Sequence, residues 1–184
     1  HSQNISASVI TDSIYLSNPD IYLSQINTSN VTTGVLIDRD IYSPLLLNMN
    51  GYDKVTTIST REWNDIYKNI SRSVYDSLVM PDIDTISYFT DVIYKNEKCF
   101  PIGILDYNFN RIKQSAIDNQ EFIFGPLYLQ DNGATINSFS IERVVAISSL
   151  QNTIYGDKVN FLFSKFFYYS NQSEDSLISI EMDF

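Results

Sequence analysis

The amino-acid sequence predicts a β-rich α+β domain in which two adjacent amphipathic helices cover a mainly antiparallel sheet. Three observations predict it. Apolar and polar residues alternate in several short runs, one central stretch repeats apolar residues every three or four positions, and aromatic residues reach 14% of the 184 residues. A chain of this length can bury about 70% of the surface its unfolded form exposes, so the core needs neither a disulfide nor a metal. The expected organisation is an α+β region over residues 1–140 and a β-meander over residues 141–184, packed as one unit.

Along the chain, residues 9–24 carry two alternations, Ile14 with Leu16 and Ile21 with Leu23, parted by the turn-forming Ser17-Asn18-Pro19-Asp20. Val35-Leu36-Ile37 after Gly34 is a further strand, and the Leu45-Leu46-Leu47 run is buried and stops at Gly51. Ser59-Thr60-Arg61-Glu62 matches a capping box, and the apolar series from Trp63 to Leu78 predicts a helix near 60–79. Pro81, with Asp82 and Asp84 behind it, opens a second helix near 82–95, whose inner stripe is Ile86, Phe89, Val92 and Ile93.

From Pro101 to Phe109 the residues are too β-branched and aromatic for a helix and predict a buried strand. A helical turn follows between Arg111 and Asn119, then Phe122-Ile123-Phe124 resumes strand character and Asp131-Asn132-Gly133 turns the chain. The last part reads as a meander: Val144 to Ile147, a turn at Tyr155-Gly156-Asp157, a central strand from Val159 to Tyr169, and a closing strand from Leu177 to Phe184. In that closing strand Ile178, Ile180, Met182 and Phe184 share one face, and Ser179, Glu181 and Asp183 the other.

Charge and composition remove several functions. Twelve basic against 22 acidic residues leave a net charge of −10, which repels phosphate backbones and anionic headgroups, so no nucleic-acid partner is expected. No apolar run is long enough for membrane insertion by a helix. His1 is the only histidine, which excludes a Ser-His-Asp triad, a Cys-His dyad and a multi-histidine metal site within the chain. Six scattered glycines form no phosphate loop, so no cofactor and no metal are expected. Cys99, the lone cysteine, reads as a small buried apolar thiol.

Two readings of chemistry remain. Carboxylate pairs such as Asp38 with Asp40, or Asp82 with Asp84, could serve a glycan hydrolase or an accessory domain of one; their plainer reading is a solvated turn and a helix start. The tyrosines are the stronger enrichment. Tyr168 and Tyr169 follow Phe166 and Phe167, so an aromatic ring faces each side of the sheet there, and the pair is the candidate binding site if one face is exposed or core if both are covered. No catalytic residue is assigned.

Three stretches carry a resemblance: Ile26-Asn27-Thr28-Ser29-Asn30-Val31-Thr32-Thr33-Gly34, Pro101-Ile102-Gly103-Ile104-Leu105-Asp106-Tyr107-Asn108-Phe109-Asn110, and Ile178-Ser179-Ile180-Glu181-Met182-Asp183-Phe184. They resemble segments of long secreted and cell-surface proteins of Bacteroidota bacteria, in which the last pattern precedes an immunoglobulin-like or PKD-like segment. The resemblance implies an immunoglobulin-like C-terminal meander, export to the extracellular space or cell surface, and a natural protein that continues past Phe184. It further implies O-glycosylation at Asp-Ser/Thr triplets, here Ser13, Ser77, Thr85 and Ser176. The expected function is a non-catalytic binding or structural module of a multidomain protein. Its partner would be a glycan or another protein of the cell surface or a secretion assembly.

Overall fold

The computed structural model describes residues 24–37, 58–75, 80–125, 128–152 and 158–172. The strands expected over 9–24, the Leu45-Leu46-Leu47 run, the turn at 155–157 and the closing strand from Leu177 lie outside the described residues.

Local signals set the helices. In α1 (Thr60–Arg72) the Ser59 hydroxyl accepts from the Glu62 amide at 3.3 Å, and the Glu62 carboxylate accepts from the Ser59 amide at 2.6 Å. These two bonds satisfy donors that a helix start otherwise leaves open, and they hold the Glu62 carboxyl below its ordinary range. Trp63, Ile66, Tyr67 and Ile70 then fall on one face and are all buried.

The apolar spacing predicts continuation toward 79, but α1 stops at Arg72 because the chain after it is recruited by β1 (Leu36–Ile37). Leu36 donates to the Ser73 carbonyl at 2.9 Å and Tyr75 to the Gly34 carbonyl at 2.7 Å. Gly34, at φ +72, makes the turn that brings β1 there. Helix α2 (Ile83–Glu97) starts at Asp82, whose carboxylate accepts from the Asp84 amide at 2.7 Å. It ends at Lys98 in the left-handed region, φ +55, which directs the chain straight into the next strand.

Strand β2 (Cys99–Ile112) is the axis of the fold, buried on both faces over most of its length. A strand that is apolar on both faces belongs at the centre of a sheet. On one long edge it pairs antiparallel with β5 (Phe139–Ser149), from Ile102 opposite Ser149 to Ile112 opposite Phe139. Between them lie the short helix α3 (Gln114–Asp118) and a separate antiparallel ribbon of β3 (Phe122–Phe124) and β4 (Leu129–Asp131).

Three short strands meet β2 in succession. These are β6 (Asn160–Leu162) at Cys99, β7 (Tyr168–Ser170) at Ile104 and β1 at Asn110. All three run parallel to β2.

This overturns the expected mainly antiparallel sheet with an immunoglobulin-like meander at its end. By strand count the α+β fold has a mainly parallel sheet, and the small β3–β4 ribbon is antiparallel. The reason is topological. A strand that follows β5 through a turn runs antiparallel to β5, and beside β5 it would make a meander. Here the chain crosses instead to the opposite edge of β2, so β7 runs with β2.

The segment expected as one central strand, Val159 to Tyr169, is split between β6 and β7 by a 3-10 turn at Lys165–Phe167, where Ser164 Oγ accepts from the Phe166 amide at 3.2 Å. The division placed at residues 140 and 141 falls inside β5. Cys99 is half-buried rather than buried, because it is the first residue of β2 and sits at its open end.

Two cores result. Trp63, Ile66, Tyr67 and Ile70 of α1 and Ile86 of α2 pack on Leu105, Tyr107, Phe109, Val144 and Ala146 of the sheet. A Cβ at Gly103 would lie 2.8 Å from the Trp63 ring and 2.6 Å from Leu150, so only glycine lets that indole close on β2. On the other face Leu36, Ile112 and Phe139 pack with Ile26, Ala116, Phe122 and Leu129.

One side chain joins the parallel pieces. Between β7 and β1, the Asn171 carboxamide accepts from the Asn108 amide at 2.8 Å and donates to the carbonyls of Asn108 at 2.6 Å and Thr33 at 3.0 Å. A carboxamide here substitutes for a strand residue. Asn171→Leu keeps the volume and strands these groups, so it should cost about 2–3 kcal/mol in urea unfolding. A loss below about 0.5 kcal/mol would mean that water replaces Asn171 at no cost.

Candidate functional site

The two candidate tyrosines occupy β7, where alternation sends them to opposite faces. Tyr169 shares the face of Leu105 and enters the helix-side core, its ring centroid 5.0 Å from Tyr67 and 6.3 Å from Trp63. Burial and the neighbouring Tyr107 hydroxyl raise its pKa. Tyr169 is therefore part of the helix-side core.

Tyr168, beside Ile104, is half-buried on the other face, and its hydroxyl is enclosed without a hydrogen-bond partner among the described residues. Nearby, the Arg143 guanidinium forks onto the buried Asp106, at 2.8 and 2.9 Å to its two oxygens. The hydrogen bonds and charge of Asp106 raise the Arg143 pKa, and the Arg143 side chain stays half exposed.

The exposed rings lie just before β7. The turn at Lys165–Phe167 buries Phe167 and leaves Phe166 40% exposed, in edge contact with Phe89 at 4.9 Å and 68°. Phe89, at 40%, meets Tyr88, at 64%, edge-on at 5.5 Å and 74°. Tyr88, Phe89 and Phe166 thus form one solvent-facing aromatic cluster across α2 and the β7 turn. Phe89 was expected in the inner stripe of α2, whereas the structure buries Ile86 and Thr90 there. The buried pair is spaced by four residues, and the apolar pattern alone hides a threonine among core positions.

The carboxylates have structural tasks: Asp82 caps α2 and Asp84 sits in its first turn. Thr85, the one described glycosylation candidate, is exposed on that turn. Ser13, Ser77 and Ser176, with Asp38 and Asp40, lie outside the described residues.

Among the described residues no group of three or more His, Cys, Asp or Glu is placed to hold a metal, and no helix is long and apolar enough to cross a membrane. A depression of about 430 Å³ at the far end of the sheet is lined by Lys113, Gln114, Ser140 and the pair Arg111–Glu142, which meet at 3.4 Å. No protein-family model matches the chain, and neither a curated protein nor a solved structure does.

Proposed function

We propose that this chain is a non-catalytic contact module of an exported multidomain protein, and that it engages another protein through Tyr88, Phe89 and Phe166. The observation that carries the reading is three large aromatic side chains packed on one another in solvent. Exposed aromatic groups of this kind are enriched where proteins meet, because each ring buries a large area at little entropic cost.

Protein is favoured over glycan by the ring geometry. A sugar stacks on an open, flat ring face, whereas edge-to-face packing at 68° and 74° sets the edge of one ring against the face of the next and makes a knob. Export is supported by the low share of charged residues, 18%, and by the resemblance to secreted proteins.

The test places a photo-crosslinking phenylalanine analogue at Phe166 in the native host. A discrete adduct at Phe166 and none at the exposed Ile136, in the turn before β5, is the expected result. Equal labelling at both positions, or polysaccharide binding that Phe166→Ser abolishes, would remove the protein-contact reading. Protease added to intact cells should digest the chain, and full protection would remove the export.

A further inference from the structure

The geometry points to a second copy of this chain as the partner of β5, joined edge to edge about a two-fold axis at Val144. This goes beyond the aromatic contact, which lies on a different surface. Among the described residues β5 pairs only with β2, and no described strand lies on its outer edge.

The direction of its backbone groups follows from the ladder. The Leu150 amide donates to the Pro101 carbonyl at 2.9 Å, and alternation from there turns the even-numbered residues of β5 toward β2 and the odd-numbered ones outward. In agreement, the Ser149 carbonyl accepts from Thr60 Oγ1, at 2.7 Å, rather than from β2.

Natural edge strands are protected by charges, prolines or bulges. This strand has neither a proline nor a bulge, and its outward row carries a single charge. Its outer row holds Ile141 at 62% exposure, Val145 at 44% and Ile147 at 44%, and the one charge among them, Arg143, is held by Asp106 while its side chain stays 53% exposed.

Self-complementarity selects the register. Centring on Glu142 or Arg143 sets like charges opposite each other, and centring on Val145 needs the Ser149 carbonyl that Thr60 already occupies. Centring on Val144 sets Ile141 against Ile147, Arg143 against Val145 and Glu142 against Ala146, with no like charges facing. The outward groups of residues 141–147 would then make about eight hydrogen bonds between copies. A net charge of −10 per copy opposes the pairing, so salt should tighten it by screening.

The test is sedimentation equilibrium of the full chain over a dilution series at low and moderate salt, with amide hydrogen exchange on the same samples. The wild type is expected to be a dimer at high concentration. The amides of Ile141, Val145 and Ile147 should become protected only as the dimer forms, while those of Val144 and Ala146 stay protected at every dilution.

Val145→Pro removes an outward N–H that β2 does not use, so it should give a monomer with an unchanged circular dichroism spectrum. Ile147→Lys provides the same test should Val145→Pro fail to fold. A monomer at all concentrations and salts, or a dimer that survives both substitutions, overturns the proposal. Protection of the outward amides at every dilution also overturns it, because a strand of the same chain would then cover the edge.

Discussion

Trp63→Ala should lower the stability of the fold by about 4 kcal/mol, a large part of the roughly 5–15 kcal/mol that holds an ordinary domain together. Trp63 has no exposed surface, stacks on Tyr67 at 5.3 Å and donates from its indole N–H to the Ala146 carbonyl at 3.2 Å. Truncation leaves a cavity where α1 meets β2 and β5, and it removes the indole hydrogen bond to the Ala146 carbonyl.

Trp63→Phe keeps most of the apolar volume and loses the hydrogen bond, so it should cost less, about 1–2 kcal/mol. Urea unfolding followed by circular dichroism separates the two. If Trp63→Ala costs less than about 1 kcal/mol, α1 is not anchored through this ring.

Alkali should unfold the protein steeply. Tyr67, Tyr107 and Tyr169 are buried, and each has a raised pKa, first through burial and, for Tyr67 and Tyr169, also through neighbouring tyrosine hydroxyls. Tyr107 is pushed up to about 12.

A folded state that holds these protons more tightly than the unfolded chain, whose tyrosines titrate near 10, has its full stability below pH 10 and loses it as pH rises. The three together should lower stability by about 4 kcal/mol for each pH unit between about 10 and 12. Tyrosinate absorbance should therefore appear in two stages: exposed residues first, then these three together with the loss of circular dichroism. If all tyrosines ionise smoothly while the fold persists, the packing around Tyr169 is wrong.

The legible parts of this fold were those fixed by neighbours in sequence. Ser59 and Glu62 announce the start of α1 because both partners of the cap lie within four residues. Pro101 to Phe109 announces a buried strand because its β-branched and aromatic residues suit a strand better than a helix.

Strand direction was not legible, because alternation records which face a side chain takes and is the same whichever way a strand runs. The end of α1 was hidden too, since its apolar period continues while Gly34 and Leu36, distant in sequence, capture Ser73 and Tyr75. Ser164 and Lys165 did mark the break between β6 and β7, as the polar interruption in an otherwise apolar run. The aromatic cluster was missed because its two halves, Tyr88-Phe89 and Phe166, meet only when β7 docks on β2.

The succession of short strands along β2 sets a timetable for synthesis. Leu36 aligns with Asn110, so β1 waits for its partner in the sheet until the ribosome has passed residue 110, about 4–15 s later at ordinary elongation rates. The long ladder of β2 with β5 closes within a much shorter stretch of sequence and offers a seed on which other pieces add. Segments made before and after that seed must return to the same side of it, so this edge of the sheet is completed only after Ser170 has been made.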